Sequence, residues 1–251
     1  MIMENDYVLV TGASSGIGQC IAKTLATAYP LILCGRSSEG LEETRRLLSE
    51  ARGADGADIV WQYDLSDTMG INAALTDLLK NHGAKVQGFV HAAGISPIAP
   101  LRMLKTDVMR DIMNVNFFAA AEILKVLSHK RTNGRTLTRV VFISSIASGM
   151  GTKGQSVYAA SKGALDSFMR SMAEELAPQV RVNSIRPGGI KTRMAKPFID
   201  AEVCHDELSD GYLLGAGHKQ DIADMAEFLL SAKSRWITGQ VFTVDGGRTA
   251  H

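Results

Sequence analysis

Tyr7-Val-Leu-Val-Thr-Gly-Ala-Ser-Ser-Gly-Ile-Gly18 runs an apolar strand-like segment straight into a glycine-rich turn, and residues of helical period follow at once. Glycine permits positive φ and lets the main chain come close to a ligand, while a helix start offers unpaired N–H groups and a positive dipole end. Such a turn suits a pyrophosphate. Taken alone it is only a strand-to-helix connection; the strand before it, the helix after it and the rhythm beyond give it meaning.

That rhythm holds to the end of the chain. Strands are predicted at Tyr7–Val10, Leu31–Cys34, Asp58–Tyr63, Gly88–His91, Arg139–Ser144, Val180–Ile185 and Gln240–Val244. Several are almost continuously apolar, as in strands buried on both faces. Helices are predicted at Ile17–Ala28, Gly40–Arg52, Asp67–Asn81, Thr106–Ser128, Val157–Ala177 and Gln220–Ser231, segments rich in Ala, Leu, Met, Glu and Lys. Sustained alternation implies an α/β, Rossmann-like, doubly wound parallel sheet of about seven strands with helices on both faces. No repeat or linker divides residues 1–251, so a single domain is expected. Lys130–Thr138 reads as a solvated turn. The long irregular stretch Arg193–Gly217 reads as a lid over a site, its apolar residues fitting either a pocket wall or ordinary packing.

Composition narrows the function. The 251 residues are 45% hydrophobic, enough for a sizeable core, and 27 Lys+Arg against 26 Asp+Glu leave a net charge of +1. That balance gives no support to binding nucleic acid or a membrane surface. Three cysteines (Cys20, Cys34, Cys204) indicate neither a disulfide framework nor a zinc site. The six histidines have no ligand-like spacing, so no metal is expected. No apolar run approaches the roughly 20 residues of a membrane span, and the acidic start Met1–Asp6 does not read as a signal peptide. A cytoplasmic protein is the expectation.

Two regions carry the chemistry. The second strand ends Leu33-Cys-Gly-Arg-Ser37, where such folds address the adenosine ribose. An acid there would repel a 2′-phosphate, whereas Arg36 can hold one through charge-assisted bonds, which favours NADP(H) while leaving NAD(H) possible. The alternative is that Arg36 is a solvated loop residue, with Glu39 near enough in sequence to pair with it. Asp64 could accept from an adenine amine or simply cap the turn Asp64–Asp67. Farther on, Tyr158-Ala-Ala-Ser-Lys162 puts a phenol and an ammonium on one helical face, Cβ atoms about 5–6 Å apart. A cation about 4 Å from the phenol, at an effective dielectric near 20, favours the phenolate by roughly 4 kcal/mol. That is about 3 pKa units before desolvation takes some back, enough to make the pair an acid/base group. Tyr–Lys pairs at this spacing are common on exposed helices. What lifts this one is that Ser144 and Ser145 end a strand just before it, at the sheet end where Gly12–Gly18 also lies. A hydroxyl and a phenol converging there could hold a carbonyl oxygen, although Ser145 could also be only a cap.

With these residues in order, the chain resembles the short-chain dehydrogenase/reductase superfamily, in its compact subgroup of about 250 residues similar to the 3-oxoacyl-[acyl-carrier-protein] reductases. The match carries Thr11–Gly18 (TGxxxGxG), Asp64-Leu65, Ala93-Gly94, Asn116, Ser145, Tyr158/Lys162 (YxxxK), Pro187–Thr192 (PGxxxT), Ile237–Gln240 and Val244–Gly247. The resemblance implies Tyr158 as general acid/base, with Lys162 on the nicotinamide ribose lowering the tyrosine's pKa. It implies Ser145 as the group orienting the substrate oxygen, 13 residues before Tyr158, and Asn116 as holder of a relay water. From its sequence context alone, Asn116 is only a polar residue in an apolar helix. The cofactor cleft would comprise Gly12, Ser14, Ser15, Gly16, Ile17, Gly18, Arg36, Ser37, Asp64, Leu65, Ala92, Ala93, Gly94, Tyr158, Lys162, Pro187, Gly188, Ile190 and Thr192. Ile190 and Thr192 would face the carboxamide.

The chain departs from the family where Asn-Asn-Ala-Gly usually follows the fourth strand: here it is His91-Ala-Ala-Gly94, and His91 could replace one lost amide bond. The resemblance implies a reversible NADPH-dependent carbonyl reductase acting on a ketone or secondary alcohol, such as a 3-oxoacyl thioester, and a homo-oligomer (tetramer or dimer). A non-catalytic NADP(H)-binding sensor or scaffold is the alternative, disfavoured by the intact Ser145/Tyr158/Lys162 set. A sugar-nucleotide epimerase or dehydratase fits less well, since the chain has little room for a separate sugar-binding domain.

Overall fold

Aliphatic strands of four to seven residues set the frame. In the computed structural model, which describes residues 6–190 and 211–250, they are β1 (Asp6–Thr11), β2 (Leu31–Gly35), β3 (Ile59–Gln62), β4 (Lys85–His91), β5 (Arg139–Ile143), β6 (Arg181–Pro187) and β7 (Val241–Val244). They form one parallel sheet in the order β3-β2-β1-β4-β5-β6-β7. Leu9 lies opposite Ile32 on one side and Phe89 on the other, and Val140 opposite Phe89 and Val182. The order reverses between β1 and β4, so a crevice opens beyond their carboxyl ends, where Thr11 and His91 are register partners.

Alternating side chains explain why these strands read as unbroken apolar runs. Leu9, Ile32, Phe89 and Phe142 point to one face and pack under α3 (Ile71–Asn81), α5 (Ala119–Ser128) and α7 (Ser156–Glu175). Val8, Val10, Leu33 and Val141 point to the other, under α1 (Gly16–Leu25), α2 (Ser38–Arg52) and the last helix, α8 (Lys219–Leu230). Helix α1 buries Gly18, Ile21, Ala22 and Leu25, a stripe of i, i+3, i+4, i+7 spacing.

The expected helix over residues 106–128 is interrupted. Helix α4 (Thr106–Met113) passes through a π turn, Asn114–Phe118, before α5 resumes. Such turns frequently sit at functional sites, and this one holds Asn116. Lys130–Thr138 is not wholly a solvated turn either. Lys130–Asn133 forms a short helix, α6, because the Asn133 amide is drawn inward: it accepts from Val86 N at 2.7 Å and donates to Val86 O at 2.8 Å and Leu127 O at 3.0 Å. Most of the expected lid, residues 193–210, lies outside the described residues. No helix among them is long and apolar enough to cross a membrane.

Candidate active site

The crevice has a phosphate end and a reactive end. At the first, Gly12 has φ +70°, and a Cβ there would stand 2.8 Å from Ala93 N. One at Gly18 would stand 2.4 Å from Gly12 O. The turn is thus as close to β4 as a backbone can come, which only glycine permits. Ser15 precedes α1 with extended backbone and makes no side-chain cap, and the first turn of α1 carries no acid, so the positive end of the helix stays open to an anion. At the tip of β2, Arg36 is exposed, and among the described residues no hydrogen bond or ion pair holds its guanidinium. It does not pair with Glu39. Ser37 caps α2 through its side chain, accepting from Gly40 N at 3.1 Å. Asp64 accepts from Ser66 N and Oγ, both onto Oδ1, which lowers its pKa, with a smaller contribution from the Arg36 charge. The turn-cap reading therefore holds, and Oδ2 makes no hydrogen bond among the described residues.

At the reactive end, β5 stops at Ile143 and a 3₁₀ turn, Ile146–Ser148, leads towards α7. Ser145 caps that turn, its Oγ accepting from Ala147 N at 3.2 Å, which leaves the hydroxyl proton available to donate. Tyr158 is half-buried in the first turn of α7. Lys162, one turn on and 3% exposed, donates from Nζ to Ile143 O at 2.8 Å, with Nζ 5.9 Å from the centre of the Tyr158 ring. A Cβ on Gly94 would stand 3.4 Å from both Lys162 Nζ and Asn116 Oδ1, so β4's end, the π turn and α7 meet at one point.

The electrostatics differ from the sequence expectation. Burial raises the Tyr158 phenol above its ordinary value, and the hydrogen bond with Ser145 works against that rise. The Lys162 charge does not dominate, because the ammonium is turned towards a backbone carbonyl. Burial instead lowers Lys162 itself to about 8, opposed by the charge of Asp166.

His91 is fully buried at the end of β4. Its Nδ1 lies 2.9 Å from Thr11 Oγ1, which in turn accepts from Ala93 N at 3.3 Å. Those partners favour the tautomer in which Thr11 donates to Nδ1. Nε2–H then faces the π-turn backbone at Val115 and Asn116 without a hydrogen bond of ordinary geometry. Burial, and next the Lys162 charge, lower the ring to about 3, so it is neutral at working pH.

The family described as enoyl-(acyl carrier protein) reductase matches residues 12–249. The 3-oxoacyl-[acyl-carrier-protein] reductase of Pseudomonas aeruginosa is 32% identical over 250 residues, spanning 98% of each chain. The chain belongs to the short-chain dehydrogenase/reductase family. Two solved members are close in backbone. A 4-hydroxyisoleucine dehydrogenase complexed with NADH has TM-score 0.88 and 29% identity, covering 98% of this chain and 100% of its own. A candidate NAD(P)-dependent gluconate 5-dehydrogenase from Beutenbergia cavernae, with NADP at low occupancy, has TM-score 0.86 and 29% identity over 98% and 97%. As a member of this family the chain is an oxidoreductase acting on CH–OH and carbonyl groups with a nicotinamide dinucleotide.

The short-chain dehydrogenase/reductase residues expected from the sequence do not all gather at one point. Gly12 meets Ala92 and Ala93 across the β1–β4 reversal, Gly18 packs back on Gly12, Ser14 lies against Gly35 and Gly40, and Ser15, Gly16 and Ile17 open α1. Asn116, Ser145, Tyr158 and Lys162 gather beyond β5, with Gly94 beside Asn116 and Lys162. Leu65 is buried in the core under β3's end. Pro187, Gly188 and Ile190 close β6, where Gly188 N donates to Val244 O and Ile190 bridges to Gly217. Gly188 and Ile190 line a cavity of about 420 Å³ walled also by Tyr212, Leu214, His218 and Asp245 and not by Tyr158 or Lys162. Thr192 lies outside the described residues.

Asn116 is a fully engaged structural amide. Its oxygen accepts from Ile95 N at 2.8 Å, and its nitrogen donates to Ile95 O at 3.1 Å and Ser161 Oγ at 2.9 Å. Both N–H bonds are spent, so a relay water would have to donate to Oδ1 or to the backbone carbonyl of Asn116. Sequence reasoning gave Thr11 no part beyond the glycine motif and missed Ser161 and Asp166. Hydroxyls and an acid on a helix have no spacing signal that separates them from surface residues.

Proposed function

We propose that the chain is an NADPH-dependent carbonyl reductase that works as one domain and runs in reverse as an alcohol dehydrogenase, with ketones such as 3-oxoacyl thioesters as its substrate class. The observation that carries this reading is the convergence of the Ser145 hydroxyl, the Tyr158 phenol and the Lys162 ammonium at the sheet end where the α1 N-terminus is open. The residues present fit a dinucleotide: a turn too close-packed for a Cβ at Gly12 or Gly18, an uncapped helix start, and a guanidinium, unpaired among the described residues, for a 2′-phosphate.

When bound, the reduced nicotinamide supplies a hydride to the carbonyl carbon. The rest is done by side chains. Ser145 donates to the carbonyl oxygen and fixes its position, and Tyr158 gives that oxygen a proton as negative charge develops. The phenol is protonated at neutral pH and so is in the form that donates; its burial makes the transfer harder, and the hydrogen bond with Ser145 works against that cost. Lys162, beneath the ring, replaces charge as the proton leaves and holds the cofactor ribose. Asn116 fixes the end of β4 against α7 through Ile95 and Ser161.

Oligomerisation through the elements carrying Asn116 and β7 agrees with the exposure of Phe118 and of Trp236 ahead of β7. A reductive, small-molecule role agrees with the cytoplasmic location expected from the sequence, and residues 193–217 would cover the substrate. The test is NADPH oxidation followed spectroscopically against a ketone panel, beginning with short 3-oxoacyl thioesters. Turnover with NADPH well ahead of NADH is expected; tight NADPH binding without turnover across the panel would instead favour a sensor module.

A further inference from the structure

A buried carboxylate stands one helical turn beyond Lys162. Asp166 is 1% exposed; Oδ1 accepts from Ser184 Oγ at 2.7 Å, and Oδ2 accepts from Arg186 Nε at 2.8 Å. Ser148 Oγ lies 2.7 Å from Oδ2 and equally 2.7 Å from the Ser145 carbonyl oxygen. Ser148 closes the 3₁₀ turn that Ser145 caps. Carbonyl reduction as described above gives this acid no direct part, yet a buried charge is costly unless its partners repay it. Its three partners lie on that 3₁₀ turn (Ser148) and on β6 (Ser184, Arg186), so it ties the catalytic serine's turn to the sheet.

We propose, on the reading that Ser145, Tyr158 and Lys162 carry the carbonyl chemistry, that Asp166 is a positioning residue: it anchors the turn bearing Ser145 and supplies the negative charge facing the Lys162 ammonium. Tyr158, Lys162 and Asp166 are spaced by four and share one face of α7. The other titratable and charged groups around Lys162 are the Tyr158 phenol on α7, the neutral His91 ring on β4, and Arg186 on β6, which partly neutralises Asp166. Burial pulls Lys162 down and Asp166 holds it up, so the balance of Asp166 against Arg186 sets the pH at which the ammonium discharges.

Two variants of the full chain move that balance in opposite directions. Asp166→Asn keeps the shape and removes the charge; Arg186→Gln leaves Asp166 less neutralised. In the protein without cofactor, stability should rise with pH from about 8, where native Lys162 discharges, up to its unfolded value. Chemical denaturation across pH should place that onset about one unit lower in Asp166→Asn and higher in Arg186→Gln. In turnover, the alkaline limb of kcat/KM should move in the same two directions, with NADPH affinity following. Ser148→Ala tests the anchor alone: kcat should fall about tenfold with the limb unmoved.

A limb and an onset that stay put in both charge variants overturn the electrostatic part, and a Ser148→Ala enzyme with unchanged kcat overturns the anchoring part. If Asp166→Asn does not fold, the upward shift in Arg186→Gln decides alone. A wild-type protein that reduces no ketone refutes the carbonyl reading, while the onset of the stability slope still decides whether Asp166 sets the Lys162 charge.

Discussion

Two asparagines hold the two ends of β4 in the same way and to different ends. Asn133 bonds both backbone groups of Val86 near the strand's start, and Asn116 bonds both backbone groups of Ile95 beyond its finish. Each side-chain amide stands in for a missing strand neighbour, and each is fully buried. They differ in the third bond. Asn133 spends its last N–H on Leu127 O, inside its own helical hairpin, whereas Asn116 spends it on Ser161, the residue before Lys162. The start of the sheet is settled in the same spirit. Arg181 donates to Leu229 O at the end of α8, where a cation meets the negative end of a helix, and to Ser234 O in the turn beyond it. The finish of the sheet holds a lysine pulled down to about 8, a phenol pushed up and a histidine nitrogen with no partner. One end of β4 is built for stability, the other for chemistry.

The largest effect separates the two ends directly. Tyr158→Phe should lower kcat by about a thousandfold or more, roughly 4 kcal/mol of transition-state stabilisation, while NADPH binding and the unfolding midpoint stay near wild type. Ketone reduction, cofactor titration and a melt of the same preparation measure all three. Substantial residual turnover would remove Tyr158 from the acid/base role.

Next, Asn133→Ala should cost about 3 kcal/mol of stability by denaturant titration, since it strands the buried Val86 N–H and two carbonyls, and leave kcat per folded molecule unchanged. Asn116→Ala should cost a similar amount and also lower kcat about tenfold, because Ser161 and Ile95 lose their brace beside Lys162. Equal loss of kcat in both variants would erase the distinction between the two ends of the strand.

That pair also marks where the sequence is legible. The strands and the glycine turn read clearly because period and composition report burial: Val8 to Val10 could be little but a buried strand. Tyr158 and Lys162 read through their spacing. Asn133 did not, and its segment looked like a solvated turn, because its amide is drawn inward by a backbone 47 residues away in the chain. The π turn was hidden for the same reason. One extra residue per turn leaves no mark on an apolar pattern. Asp166 looks like any helix acid until β6 brings Ser184 and Arg186 against it. The Lys162–Tyr158 spacing gave the right neighbours and the wrong balance, since only the fold turns Nζ towards Ile143 O.

A smaller change tests the phosphate end of the crevice against its reactive end. Arg36→Asp should shift the ratio of kcat/KM for NADPH over NADH towards NADH by about 10–100-fold, by removing charge-assisted bonds to a 2′-phosphate and adding a repulsion. The kcat with saturating cofactor should hardly change, because Arg36 sits at the tip of β2, away from Tyr158. An unaltered preference would move the 2′-phosphate to other residues.

The smallest effect is a pH slope set by His91. Its native pKa, about 3, lies below the ordinary 6.5, so between these values the unfolded chain binds the proton that the folded chain refuses. Stability due to this residue is therefore complete above pH 6.5 and drains as pH falls, by about 1.4 kcal/mol at pH 5.5. His91→Asn removes the titration and restores an amide to the end of β4. Other acids change with pH in both proteins, so the informative quantity is the difference between their stability curves. It should open below pH 6.5 in favour of the variant and widen towards pH 4. Parallel curves would mean that the ring is protonated in the native protein, and that its Nε2 has found an acceptor in the π turn after all. In that case the finish of β4 would be as fully bonded as its start, and the contrast between the two ends would rest on Lys162 and Tyr158 alone.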